Sequence, residues 1–256
     1  MSRNTFATVA FTEPATNASQ QRTVGIVKTS DKGGYYVDVF RSKQAEAEDN
    51  QYHDYFYHNL GQEMTVMDGK GKRLALKPFE KFEELNSTHS SQEGILKAYS
   101  WVKDKKAAAY KEDVTVNFIT NCRDGKRIQM KMWMKGEQGR QIIQALSPRN
   151  MEYERLGERM PYDIISQPVL TFIARQKGEA WNRPFVAIYE PSDNEEPSEI
   201  EKVSFFRPKS NDSSAIGIRV VLKNGRTDYI FSASRKTKMT YKGMTVEGIY
   251  KVISNK

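Results

Sequence analysis

The feature that most constrains this chain is a recurrence of short β-branched and aromatic segments closed by turn chemistry, with no helical pattern long enough to compete. Residues 24–28, 35–40, 52–58, 114–120, 128–134, 169–174 and 185–189 each read as a strand. Residues 203–206, 216–222, 227–233 and 246–253 continue the series. Asn224-Gly225, between two apolar runs, is the strongest hairpin signal, and Asp124-Gly125 is the second. Helix is confined to short candidates at 137–145 and a turn or two within 103–111. Regular strands with turn punctuation predict an all-β fold: an antiparallel β-sandwich of two packed sheets, or two consecutive sandwich units.

The 256 residues suit one large sandwich or two smaller units. A division is expected at residue 150: a β-sandwich sheet region over 1–150, and over 151–256 strands that complete it or form a smaller second β unit. The proline-bearing stretch 148–162 reads as a strap between the halves, and 43–50 and 190–201 read as polar loops. Alternation places Tyr229 and Phe231 on one strand face and Asp228 and Ile230 on the other. In 128–134 it sets Ile128, Met130, Met132 and Met134 against Gln129, Lys131 and Trp133, one side toward a core and the other toward water or a partner.

The formal charge of +8, from 40 basic and 32 acidic residues, favours polyanionic partners without choosing among them. No run of five Lys or Arg occurs, which argues against a nucleic-acid-binding arm. No apolar run approaches membrane-spanning length, and the first residues lack the pattern of a signal peptide. The single cysteine, Cys122, rules out an intrachain disulfide and reads as a strand-end thiol.

Motifs for nucleophilic catalysis, phosphate loops and dinucleotide binding are absent. Of the three histidines, His89 sits in a polar loop, while His53 and His58 are five apart and fall on opposite strand faces. A long-looped hairpin would bring His58 to Asp38, giving either a hydrogen-bonded pair or two ligands of a metal that wants three or four. Trp101, Trp133 and Trp181 offer aromatic faces to sugar rings, with core packing the competing reading for Trp133. Arg41, Arg207, Arg219 and Arg235 lie at or beside strands, where a guanidinium grips carboxylates or sulfates through paired hydrogen bonds or simply solvates a strand face.

Several segments in order resemble the C-terminal β region of heparinase II/III-type polysaccharide lyases, a group that includes alginate lyases. They are RTVGIV from Arg22, YYVDVFR from Tyr35, YHDYFYH from Tyr52, PVLTFIAR from Pro168, RPFVAIYEP from Arg183 and RTDYIF from Arg226. The resemblance implies a β-sandwich that accompanies an N-terminal helical toroid missing from this chain, in a parent protein that is periplasmic or extracellular. It implies β-elimination of a uronate-containing acidic polysaccharide, with most catalytic groups outside these residues, so no catalytic residue is assigned. It also implies a structural zinc held by two histidines and an aspartate. Asp38 and His58 match two of these positions, while the earlier histidine falls where Gln20, Gln21 or Arg22 stands. The expectation is therefore no cofactor, with structural zinc as the alternative. The polymer is expected to meet Arg41, Trp133, Trp181, Arg207 and Arg235. The competing reading is a stand-alone carbohydrate-binding or structural interaction module.

Overall fold

The computed structural model describes residues 4–14, 16–44, 51–79, 101–122, 124–149 and 166–255. Along them run β1 (Asn4–Glu13), β2 (Ala18–Lys28), β3 (Gly34–Gln44), β4 (Tyr52–Asn59), β5 (Glu63–Met67) and β6 (Lys77–Pro78). Next come β7 (Lys103–Ala109), β8 (Val114–Asn121), β9 (Arg127–Met134), β10 (Arg140–Ser147), β11 (Val169–Lys177) and β12 (Ala180–Ser192). The last are β13 (Ile200–Phe206), β14 (Lys209–Ser210), β15 (Ile216–Leu222), β16 (Thr227–Tyr241) and β17 (Met244–Asn255). No helix occurs among the described residues, and the registers given for paired strands are antiparallel. The fold is all-β, as the strand-and-turn pattern predicts.

The chain forms two compact units, and their segments interleave instead of dividing at residue 150. The first comprises Met1–Ala47, Met132–Lys135 and Glu179–Lys256; the second comprises Glu48–Lys131 and Gly136–Gly178. The strap expected at 148–162 lies almost wholly outside the described residues, as does His89.

The first unit is a sandwich. One layer has the order β1-β2-β3-β12 followed by the end of β9; the other runs β13-β15-β16-β14, with β17 also on β16. Strand β2 alternates strictly: Gln21, Thr23, Gly25 and Val27 are buried while Arg22, Val24 and Ile26 are exposed. This is the period-two signature of a strand with one covered face. The core joins Val27, Tyr35, Val37, Val39, Val186 and Ile188 of one layer to Ile200, Ile218, Val220, Leu222 and Ile230 of the other. Burying each such side chain contributes about 1.5–3 kcal/mol. Asn224 and Gly225 make the expected tight turn: Gly225 has φ +86°, and Leu222 N–H donates to Arg226 O at 2.8 Å. Tyr229 and Phe231 pack together on one face of β16 and Ile230 enters the core on the other.

The second unit has the sheet β4-β11-β10-β7-β6 together with the run β9-β8-β5. Tyr57 of β4 meets Phe118 of β8 edge-on at 5.3 Å, and Gln144 of β10 donates to Met64 O of β5 at 3.4 Å. A cluster of Val102, Ala107, Ile143, Ala145 and Ile173 lies on the β7-β10-β11 part of the sheet. Asp124-Gly125 closes β8 to β9, with Cys122 N–H donating to Lys126 O at 2.7 Å.

The two short helix candidates are strands instead. In 137–145 the turn at Gly139 (φ +77°) breaks any helix, and β10 starts at Arg140. In 103–111 the residues have helix-forming propensity, but pairing of β7 with β10 overrides it. Two polar-loop readings are also shortened: Lys43 and Gln44 belong to β3, while residues 190–192 belong to β12 and residues 200–201 to β13. In β9 the sides of the strand differ less than alternation implies, because Met132, Trp133 and Met134 are all buried.

Candidate functional site

The sandwich of the first unit carries polar groups at both ends of β3. Tyr35, Val37, Val39 and Arg41 share the inward face of that strand, and Asp228, Ile230 and Ser232 share the inward face of β16. Apolar pairs fill the middle. At one end Tyr35 donates to Asp228 Oδ2 at 2.8 Å, and Arg226 grips the same carboxylate at 2.8 and 2.9 Å. Arg226 also donates to Lys28 O at 3.0 Å. Burial first, and the Asp228 charge second, push the Tyr35 hydroxyl far above the ordinary phenol range. This end is closed.

The other end opens. Arg41, with no exposed surface, donates to Gln21 Oε1 at 3.4 Å, to Ser214 O at 3.3 Å and to Ser232 Oγ at 3.3 Å. Burial holds its guanidinium down to about 10; the Asp212 charge opposes that effect and the Arg207 charge adds to it. It stays protonated at neutral pH. Asp212 accepts from Ser214 N–H at 2.9 Å and from the N–H and Oγ of Ser234, both at 2.8 Å. Burial alone would raise its carboxyl, but hydrogen bonds from Ser214 and Ser234 outweigh that and hold it below the ordinary value.

Above this floor lies a depression of about 390 Å³ lined by Lys43, Glu179, Trp181, Asn182, Asn211, Asp212, Ser213, Ser234 and Arg235. Trp181 is half-buried, and Lys43 Nζ stands 4.9 Å from its ring centroid. Glu179 is turned toward backbone, accepting from Trp181 N–H at 2.6 Å and Asn182 N–H at 2.7 Å. Arg207 braces the rim, donating to Ser213 O and Ala215 O at 3.1 Å each and to Asn182 O. Arg235 donates to Asn211 O at 3.3 Å with its side chain exposed. Both carboxylates of the lining are engaged by internal donors, whereas Lys43 and Arg235 are exposed cations beside an aromatic ring. That combination suits a sugar bearing a carboxylate or sulfate.

Four of the five residues expected to meet a polymer therefore gather at one end of the first unit, in different positions. Trp181 and Arg235 line the depression, Arg207 braces its rim and Arg41 supports its floor without reaching the surface. Trp133, 8% exposed, packs in the core with Val186 and Ile188. Trp101, in the second unit, is exposed. Sequence reasoning missed Lys43, hidden by its reading as loop, and Asp212. The sequence Ser210-Asn-Asp-Ser-Ser214 is a turn-forming run, and Asp212 accepting the Ser214 N–H is the turn such runs make.

Asp38 and His58 have separate partners. Arg22 holds Asp38 through both carboxylate oxygens, at 3.0 and 3.1 Å from Nε and 2.5 Å from Nη2. His58 Nδ1 lies 3.0 Å from Thr171 Oγ1 on β11. Asp38 belongs to the first unit and His58 to the second. Burial holds the His58 imidazole below its ordinary value. His53 is buried, with Nε2 2.8 Å from Gln51 Oε1. Among the described residues no group of three His, Cys, Asp or Glu side chains could hold a metal ion. With a guanidinium already on the Asp38 carboxylate, these donors do not fit a structural zinc, which needs three or four ligands.

No family model matches the chain. It is similar to the endo-acting ulvan lyase of Formosa agariphila, 29% identical over 280 aligned positions that take in 97% of this chain and 30% of that protein. The relative is a polysaccharide lyase, and the chain spans about 30% of its length.

Proposed function

We propose that this chain is the β-sandwich portion of a heparinase II/III-like polysaccharide lyase, supporting β-elimination of a uronate-containing acidic polysaccharide by holding the polymer without cleaving it alone. The observation that carries this reading is the depression in which Trp181 stands beside the exposed cations Lys43 and Arg235. Two further facts support it. Similarity to the ulvan lyase runs through 97% of the chain. The donors Arg41 and Arg207 are committed to backbone and side-chain oxygens, so they shape the depression while Lys43 and Arg235 face the ligand.

In this role the Trp181 ring packs on a sugar's C–H face, and the two cations take its carboxylate or sulfate. Proton abstraction falls to groups elsewhere in the larger enzyme. The test uses the full chain in two assays. Retention on immobilised ulvan is expected to fall as salt rises, because surface ion pairs are screened. Incubation with ulvan, heparin, alginate or chondroitin is expected to give no rise in the ultraviolet absorbance of unsaturated uronate. Absence of retention would remove the binding role, and sustained absorbance growth would remove the non-catalytic one.

A further inference from the structure

We infer that the outward face of the β13-β15-β16-β17 layer in the first unit is a second binding surface for an anionic polysaccharide, separate from the Trp181 depression. The inference rests on the reading of the chain as an acidic-polymer binder and adds a second contact to it.

The register defines this face. Lys202 is opposite Val221, Phe206 is opposite Gly217, Arg219 is opposite Tyr229, and Phe231 is opposite Lys251. Directly opposed residues of antiparallel strands share a side, so Lys202, Phe206, Arg219, Tyr229 and Lys251 all project outward. No Asp or Glu falls among the paired residues of this side between Phe206 and Asn255. The acidic Asp228 lies on the inward side, where Arg226 neutralises it.

The arginine here differs from the others of the unit. Arg207, Arg226 and Arg41 each bond to oxygens of the protein through their side chains, whereas the side chain of Arg219, half-buried in the middle of the layer, has no hydrogen bond or ion pair among the described residues. A half-buried guanidinium without a partner is an open fork for a carboxylate or sulfate. The rings beside it are partly exposed: Phe206 and Tyr241 stack at 3.7 Å, and Tyr229 meets Phe206 at 6.4 Å. Gly217 keeps the position under Phe206 free, since a Cβ there would come within 2.1 Å of its ring. The exposed lysines Lys202 and Lys251 flank the arginine on the outer strands. Strand spacing and rise set them about 20 Å apart along a diagonal, room for several sugar units. Three cations and partly exposed rings, against one exposed carboxylate, Glu201 beside Lys202 at the β13 bulge, are complementary to a polymer with repeated negative charge. They match neither a neutral glycan nor a second copy of the same basic face.

The experiment is affinity electrophoresis of the full chain through gels holding ulvan, with dextran as the neutral control. The variants are R219Q/K251Q, W181A and all three changes together, with folding checked by circular dichroism. The expected result is retardation by ulvan alone, weakened about fivefold or more by R219Q/K251Q and further in the triple variant. Full affinity in R219Q/K251Q beside a loss in W181A would overturn the second surface and leave the depression standing. Wild-type protein that ulvan does not retard would overturn both. Equal retardation by dextran, or a concentration-dependent dimer abolished by R219Q/K251Q, would overturn the choice of ligand.

Discussion

The two ends of β3 invite comparison, because the same sandwich treats them oppositely. At the Tyr35 end, Asp228 receives a tyrosine hydroxyl and a two-pronged arginine, and Arg226 also ties down Lys28 O. Neither of these buried charges, on Arg226 and Asp228, is available to a ligand. At the Arg41 end an equally buried arginine bonds to neutral oxygens, and the charges above it on Lys43 and Arg235 are exposed. The difference teaches that an arginine beside a strand is not in itself a binding group. Its role follows from which oxygens its N–H groups already meet.

The largest expected effect is at the closed end. D228A leaves Arg226 buried without its counter-ion and removes the acceptor of Tyr35, so urea denaturation should show a loss of about 3–5 kcal/mol. Ulvan affinity per folded molecule should not change. At the open end R41M deprives Gln21, Ser214 and Ser232 of a donor, a cost of about 1–3 kcal/mol. Here affinity should fall as well, because the floor of the depression shifts.

A pH series sharpens the contrast further. The Asp212 carboxyl is held below its ordinary value of 3.8 in the folded protein. Its contribution to stability is therefore complete above that value and is lost as pH falls through the lower folded one. Acid unfolding of D212N, followed by fluorescence, should lack this component. W181A should weaken ulvan binding about fivefold, read by calorimetry, with a stability change near 1 kcal/mol. The smallest effect is R219Q, which touches no internal partner and should shift the urea midpoint by less than about 0.5 kcal/mol of stability.

Much of the fold was legible because strands with one covered face repeat every second residue. The runs beginning at Val24, Tyr35, Ile216 and Thr227 all lie within strands of the structure, and the Asn224-Gly225 turn fell where its chemistry demanded. Strand β7 was not legible, since Lys-Asp-Lys-Lys-Ala-Ala-Ala favours a helix and only pairing with β10 decides otherwise. Strand β1 was missed because its threonines and alanines give little alternation.

At the candidate site, residue type pointed to Trp181, Arg207 and Arg235, but burial could not be read. Arg41 meets Ser214 and Ser232, which lie 173 and 191 residues away in sequence. Trp133 enters the core because β9 ends beside β12, a long-range pairing with no local signal. The Arg22–Asp38 pair is short-range, and the β2–β3 register makes the two diagonal neighbours.

The most direct measurement is calorimetric titration of the full chain with ulvan at low and high salt, with the uronate absorbance of the same sample read afterwards. Salt-sensitive heat of binding with flat absorbance is the predicted outcome. Rising absorbance, or no heat at low salt, would contradict the assignment of polymer holding without cleavage.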